Sequence, residues 1–236
     1  MLGNFFDEKN GVLTIILMGF PCNWNSCHHC YFNEESSTDE SLLLRQNFEI
    51  LNGSIELLET NEVKFLKIFN GGSFFELPKQ LYPIFKIIFN NREISIESRP
   101  ELITESSIRH LQLELNPKIL NIFIGFDSYN EILRNKTLNK GIPQSEITRI
   151  SSIKIKNAFF YSYVVFGIEG ITEVSVMKSV EEFNSIFKGV TAIEFRFHPG
   201  LKIKPQVTSY RLKNWLISNC STVDFLGCDD DQWEIK

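Results

Sequence analysis

A chain of 236 residues, 43% of them hydrophobic and 22% charged, has the apolar content for one sizeable packed domain and too much of it for a mainly disordered chain. Its formal net charge of -5 excludes a global basic field that would hold a polyanion by counterion release. The basic residues are scattered, and small groupings such as Lys202 with Lys204 or Arg211 with Lys213 read as solvated faces.

The first residues, MLGNFFDEKNG, are acidic, and the apolar run VLTIILMGF (12–20) is too short for a membrane span and wrongly flanked for a secretion signal. The expected location is therefore cytoplasmic, where the sequons at Asn52, Asn135 and Asn219 go unused. Continuous apolarity between turn residues makes 12–20 a buried strand. SSTDE then opens a helix, with Ser37 and Glu40 spaced as a capping box, and LLLRQNFEILNGSIELLE continues it.

A second strand is read over 63–69, closed by NGG, and a helix follows over LPKQLYPIFKIIFNN with Pro78 in its first turn and Pro83 as a kink. EISIES (93–98) is the third strand, and Pro100 starts the next helix. The fourth strand spans 119–126, with a helix near 143–155; the fifth spans 158–167, with a helix over about 174–187. AIEFRF (192–197) is the sixth, and YRLKNWLIS makes a closing helix.

Regular alternation with apolar strands predicts an α/β fold, a parallel sheet covered by helices. Six such units, with no glycine-rich dinucleotide loop after the first strand, favour a partial barrel over a dinucleotide-binding sheet. No linker divides the chain, so a single domain over 1–236 is expected, with a core over about 10–200 and a short extension over 201–236. Active sites of barrels gather where strands end. The strands here end in a cysteine loop, NGGS, ESRPE, GFDS, FGIEG and FHPG.

That first loop, FPCNWNSCHHCYF, places Cys22, Cys27 and Cys30 in the pattern C-x4-C-x2-C. Thiolates so close together repel one another unless something positive is bound, so a metal is expected. A zinc knuckle would need a fourth ligand from His28 or His29, which are awkwardly adjacent to the cysteines; three thiolates suit an iron–sulfur cube with one open iron. Three unliganded structural cysteines are the plainer alternative. Cys220 and Cys228 are too few for a second cluster and are expected to be buried or idle.

The later strand ends add polar groups, each with a plainer reading beside it. Gly71 and Gly72 expose backbone, or simply turn the chain. Arg99 has the geometry to clamp a carboxylate, or forms a surface salt bridge with Glu101 or Glu97. Asp127 and Ser128 lie at the fourth strand's end, with Asn139, Lys140 and Gly141 in a polar turn nearby. Lys140 reads either as a site residue or as a solvated loop lysine. Val165 and Gly167 form a flat apolar seat or plain core, and His198, before a proline, is a substrate group or structural.

Taken in order, the C-x-W-x2-C-x2-C loop, NGGSFF, ESRPE, GFDS and LNKG resemble the radical S-adenosylmethionine (SAM) superfamily, over roughly residues 10–185. Within it they look like the radical SAM subunit of archaeosine synthase and its Elp3-like relatives. The usual spacing there is C-x3-C-x2-C with an aromatic before the last cysteine; this chain has one more residue, and His29 in the aromatic's place.

The resemblance implies a partial (βα)6 barrel of TIM type, with a 4Fe-4S cluster held by Cys22, Cys27 and Cys30 whose open iron chelates SAM. One electron from a ferredoxin or flavodoxin type donor then cleaves the sulfonium to a 5'-deoxyadenosyl radical. SAM contacts fall by this resemblance to Phe32, Gly71, Gly72, Ser73, Ser98, Arg99, Asp127, Ser128, Val165 and Gly167. Lys140 and His198 are the candidate catalytic groups. The implied reaction is a lyase step in tRNA modification: cleavage of the lysine C–N bond of a lysine-modified deazaguanine to give archaeosine. A transglycosylase-like subunit would be the partner, and tRNA would be held through it, in keeping with the acidic charge and the acidic end CDDDQWEIK. Other readings are radical SAM chemistry on a peptide or small metabolite, and a zinc-binding module without catalysis.

Overall fold

The computed structural model describes residues 2–32 and 36–225. Cys228 and the acidic end lie outside the described residues. Among the described residues, eight strands follow chain order, β1 to β8. They are β1 (Gly3–Asp7), β2 (Val12–Ile16), β3 (Phe65–Phe69), β4 (Glu93–Ser98), β5 (Ile119–Asp127), β6 (Ala158–Phe166), β7 (Gly189–Glu194) and β8 (Thr222–Asp224). The helices are α1 (Glu40–Thr60), α2 (Tyr82–Phe89), α3 (Glu105–Leu115), α4 (Gln144–Ser152), α5 (Glu173–Ile186) and α6 (Tyr210–Asn219). From β2 to α6 they form the six expected strand–helix units. Among the described residues no helix is long and apolar enough to cross a membrane.

Residue contacts gather the chain into two compact units. The first holds residues up to Asn25, Phe32–Phe123 and Ile153–Phe159. Here β2, β3 and β4 run parallel in the register Val12↔Phe65 and Leu66↔Ile94. Strand β1 joins antiparallel to β2, from Gly3↔Ile16 to Asp7↔Val12. It was not expected, because Phe5 and Phe6 are set among acidic and polar neighbours. β4 alternates strictly, with Ile94, Ile96 and Ser98 buried, the period-2 pattern of a half-buried strand. Behind it Phe74, Phe85 and Phe89 form a buried aromatic cluster with centroids 5.1 to 5.6 Å apart.

Helix starts in this unit correct three expectations. Asp39, not Ser37, caps α1, its carboxylate accepting from Ser41 and Leu42 N–H; Ser37 instead accepts from Asp39 N–H. Pro83 does not kink α2: the helix begins at Tyr82, and a first-turn proline lacks only an N–H that would be unpaired anyway. Pro100 opens a 3-10 turn, and α3 begins later on a Thr104–Ser107 capping box.

The first long strand also ends early, at Ile16. Fully buried Asn47 of α1 donates to Met18 O and accepts from Met18 N–H, each at 2.9 Å. A side-chain amide thus replaces a strand partner, and the chain leaves the sheet toward the cysteine loop. At Gly19 a Cβ would meet Asn70 O at 2.4 Å, so only glycine fits that exit.

The second unit holds Ser26–Tyr31, Ile124–Ser152 and the chain from Phe160. Its strands are parallel, Tyr161↔Gly189 in β6–β7 and Thr191↔Thr222 in β7–β8. β7 starts three residues before the expected 192, at the buried Gly189, Val190 and Thr191, and ends at Glu194; Phe195 beyond it is still buried, while Arg196 and Phe197 are exposed. Phe126, Phe183 and Phe187 stack in its core, with centroids 5.6 to 5.9 Å apart.

Replacing Asn47 by alanine leaves both polar groups of Met18 without their partner. The variant is expected to lose about 2 kcal/mol of stability in equilibrium urea unfolding.

Candidate functional site

In the first unit, Asn70, Gly71, Gly72 and Ser73 turn the chain at the end of β3. Gly71 has φ +64°, and a Cβ there would meet the Phe32 Cβ at 3.1 Å, so both backbone and space demand glycine. A Cβ on Gly72 would meet nothing closer than 3.7 Å, which leaves its backbone open. Buried Asn70 donates to Ser73 O at 3.2 Å, and its Oδ1 has no hydrogen-bond partner among the described residues.

Ser73 and Ser98 engage each other. The Ser98 hydroxyl is 3.3 Å from Ser73 Oγ and 2.9 Å from Arg99 O, to which it donates; Ser73 Oγ accepts from Arg99 N–H at 2.8 Å. These bonds lock the β4 exit onto the glycine turn. The Arg99 guanidinium pairs with Glu101 and lies over the Trp24 ring, 5.7 Å from its centroid. The salt bridge is thus the arrangement present. Burial, ahead of the nearby Glu101 charge, raises the Glu76 carboxyl above its ordinary range, and Asn23 donates to it at 2.6 Å. Cys22 belongs to this unit and is partly exposed.

Cys27 and Cys30 belong to the second unit, on the limb Ser26–Tyr31. That limb is fastened to the turn 137–140. His28 donates its backbone N–H to Leu138 O at 2.9 Å, its Nδ1 lies 3.0 Å from Thr137 O, and Asn139 Nδ2 donates to Ser26 O at 2.7 Å. Asn139 adopts φ +52°, a left-handed conformation asparagine tolerates, and so aims its amide at the limb.

Beneath the limb, Asp127 Oδ2 accepts from both His29 Nε2, at 2.9 Å, and the Lys140 ammonium. Asp127 has φ +62°, and Ser128 N–H reaches back to Phe126 O at 2.8 Å, a γ-turn that is strained for a residue with a side chain. Burial alone would raise the Asp127 carboxyl; Lys140 and His29 outweigh it and hold it well below the usual carboxylate range. Burial alone would lower the Lys140 ammonium; Asp127, with Cys27 and Cys30, outweighs it and raises the value. Lys140 is therefore a buried, charged residue, 9% exposed, and not the solvated loop lysine of the plainer reading.

Two residues that sequence reasoning did not single out build this arrangement. A Cβ on Gly125 would meet Lys140 Nζ at 3.2 Å, so the glycine in β5 gives the ammonium its place. Arg134 is fully buried and donates to the carbonyls of Ser128, Tyr129 and Ile142 and to Gln144 Oε1, at 2.8 to 3.1 Å. It sits in a π-helical turn, Leu133–Thr137, and its own carbonyl accepts from Lys140 N–H at 3.0 Å. Its partners are mostly backbone, which no sequence pattern reveals. In sequence it is only an arginine in the stretch between the fourth strand and its helix.

Ser128 is buried, and its hydroxyl has no hydrogen-bond partner among the described residues; the same holds for His29 Nδ1. Val165 lies inside β6, opposite Ile193. Gly167 has φ +76° and accepts from Gln206 N–H at 2.8 Å, so its conformation is set by the passing chain. His198 stacks flat on Tyr31, centroids 4.0 Å apart and planes 3° from parallel, against the end of the cysteine limb. A cavity of about 390 Å³ lined by Tyr129, Ile132, Gln144, Lys178 and Glu182, among others, contains none of the predicted site residues.

The donors fit an iron–sulfur group by their chemistry: three thiols on one short loop, two of them on a braced limb beside a buried cation. Among the described residues no three His, Cys, Asp or Glu side chains stand within reach of a single ion. Each thiolate of a cube grips a different iron, so such a group does not ask for convergence on one point.

The fold is that of the radical SAM enzymes, the partial (βα)6 barrel class. The chain matches the solved structure of queuine lyase from Clostridium spiroforme, bound to SAM and queuine, with a TM-score of 0.72 and 24% identity, covering 95% of this chain and 94% of that one. In sequence it is 32% identical over 200 residues to an uncharacterized protein of Methanocaldococcus jannaschii, covering 78% of this chain and 54% of that one. It also resembles archaeosine synthase subunit beta of Thermococcus kodakarensis, 24% identical over 159 residues, covering 60% of this chain and 49% of that subunit. The chain thus spans about half the length of the curated relatives it matches. No family model matches it.

Cys220 stands apart from this chemistry, since burial pushes its thiol up to about 12. At pH 8 its thiolate is scarce, only partly offset by greater intrinsic nucleophilicity, so iodoacetamide is expected to label it on the order of 10²-fold more slowly than a thiol of ordinary pKa. Mass spectrometry of timed alkylation of the native protein measures this.

Proposed function

We propose that the chain is a radical SAM lyase acting on a modified base, with a 4Fe-4S cluster on Cys22, Cys27 and Cys30. The observation that carries this reading is the C-x4-C-x2-C loop at the end of the first parallel strand, two of whose cysteines lie on a limb already braced by the chain's own side chains. When bound, such a cluster would supply the electron that cleaves SAM, on delivery from a ferredoxin or flavodoxin type donor.

The remaining roles fall to this chain's own groups. The Gly71–Gly72 backbone, with Phe32 against Gly71, would receive the methionine ammonium of SAM. Arg99 would exchange Glu101 for the methionine carboxylate, which it can grip bidentately, while Ser73 and Ser98 hold its backbone in place. Buried Ser128, with a hydroxyl to share, would meet the ribose alongside Asp127, and Val165 and Gly167 would seat the adenine. His198, which lies flat on Tyr31, would serve as a substrate-side group.

For the substrate, the likeness to archaeosine synthase subunit beta supports cleavage of the lysine C–N bond of a lysine-modified deazaguanine in tRNA. A transglycosylase-like subunit would then supply the RNA contacts that a net charge of -5 does not favour. The match to queuine lyase over nearly the full length of both chains favours a second reading, a lyase acting on a free modified base such as queuine.

Anaerobic reconstitution is expected to give a brown protein, absorbing near ~400 nm, with about four irons per chain. Substituting Cys22, Cys27 or Cys30 by alanine should leave less than about one iron; full iron content in any of the three would remove the cluster assignment. With reductant and SAM the protein should release 5'-deoxyadenosine. Mass spectrometry of tRNA nucleosides from a strain lacking this chain, beside incubation of the pure enzyme with free queuine, separates the two substrates: loss of archaeosine supports the first, cleavage of the free base the second.

A further inference from the structure

We infer that Asp127 and Lys140 are positioning residues for the Cys27–Cys30 limb: they brace it before any cluster is bound, and they set the ammonium of a buried ion pair near its two cysteines. The inference rests on the cluster reading and gives these two residues a bracing role in addition to any contact with SAM or substrate. It begins with the strained turn at Asp127, φ +62°, which aims a buried carboxylate away from the line of β5. One oxygen of that carboxylate takes both His29, the residue between Cys27 and Cys30, and the Lys140 ammonium. Neighbours of Lys140 in the same turn, Thr137, Leu138 and Asn139, hold Ser26 and His28 by the bonds described above. The limb is thus pinned at Ser26, His28 and His29, on both sides of Cys27 and next to Cys30.

The charge follows from the same geometry. The ammonium is paired to the Asp127 carboxylate, and Gly125 and Arg134 serve to keep it there. A cation close to a thiolate-bound cluster favours the more negative, reduced state, and so raises the cluster's potential.

The test uses the full-length protein and two independent readouts. In the iron-free protein, hydrogen–deuterium exchange of the peptide covering 26–32 should be at least tenfold faster in Lys140→Met and in Asn139→Gly than in wild type. Exchange of α1 should be unchanged. Asn139→Gly keeps the left-handed turn while deleting the bond to Ser26. Should Lys140→Met fail to fold with its carboxylate unpaired, the neutral pair Asp127→Asn/Lys140→Met takes its place.

In the reconstituted protein, Lys140→Met should shift the reduced-to-oxidised ratio at least tenfold toward oxidised, a fall of about 59 mV in a one-electron EPR titration. Unchanged limb exchange in both variants, or an unchanged potential with full iron content, overturns the inference. A wild-type chain that binds no cluster removes the cluster reading, and with it the charge effect, while the exchange comparison still decides the bracing.

Discussion

The arrangement at the end of β5 depends on one buried ion pair. A carboxylate taken out of water is costly unless paired and hydrogen-bonded, and Asp127 is paired to Lys140 and bonded to His29 at the same oxygen. Much of the local structure exists to maintain that pair: the glycine at 125 that admits the ammonium, the arginine at 134 that ties down the carbonyls of the intervening turn, and the backbone twist at 127 itself. A sequence that meant only to close a loop would not bury three ionisable side chains within about fifteen residues of one another.

The legibility of the chain follows how local its signals are. β4 was readable to the residue because its alternation is complete within six positions. β1 was not, because a short antiparallel strand among acidic residues declares itself only through its partner, β2. Cap and turn chemistry fell between these cases: SSTDE marked a helix start correctly, but the cap is Asp39, two residues beyond Ser37, where a charged acceptor took the place.

The cysteine loop after the first parallel strand and the glycine turn after the next one stand where the sequence put them. The partner of His29 was not legible in the sequence, since Asp127 lies 98 residues away. Arg99 shows the opposite outcome: the neighbour two residues on, Glu101, holds it in this state. Lys140 is the sharpest departure from expectation by residue type. Lysines in polar turns are normally solvated, and only the three-dimensional neighbourhood reveals this one as buried.

One further consequence comes from His29. Its Nε2 donates to the Asp127 carboxylate, so in the neutral ring the proton sits there and Nδ1 presents a bare lone pair, enclosed and unanswered among the described residues. To that neutral ring, a polar group at this edge would have to donate a hydrogen. An amino or hydroxyl group is welcome, while a carbonyl or carboxylate would set lone pair against lone pair.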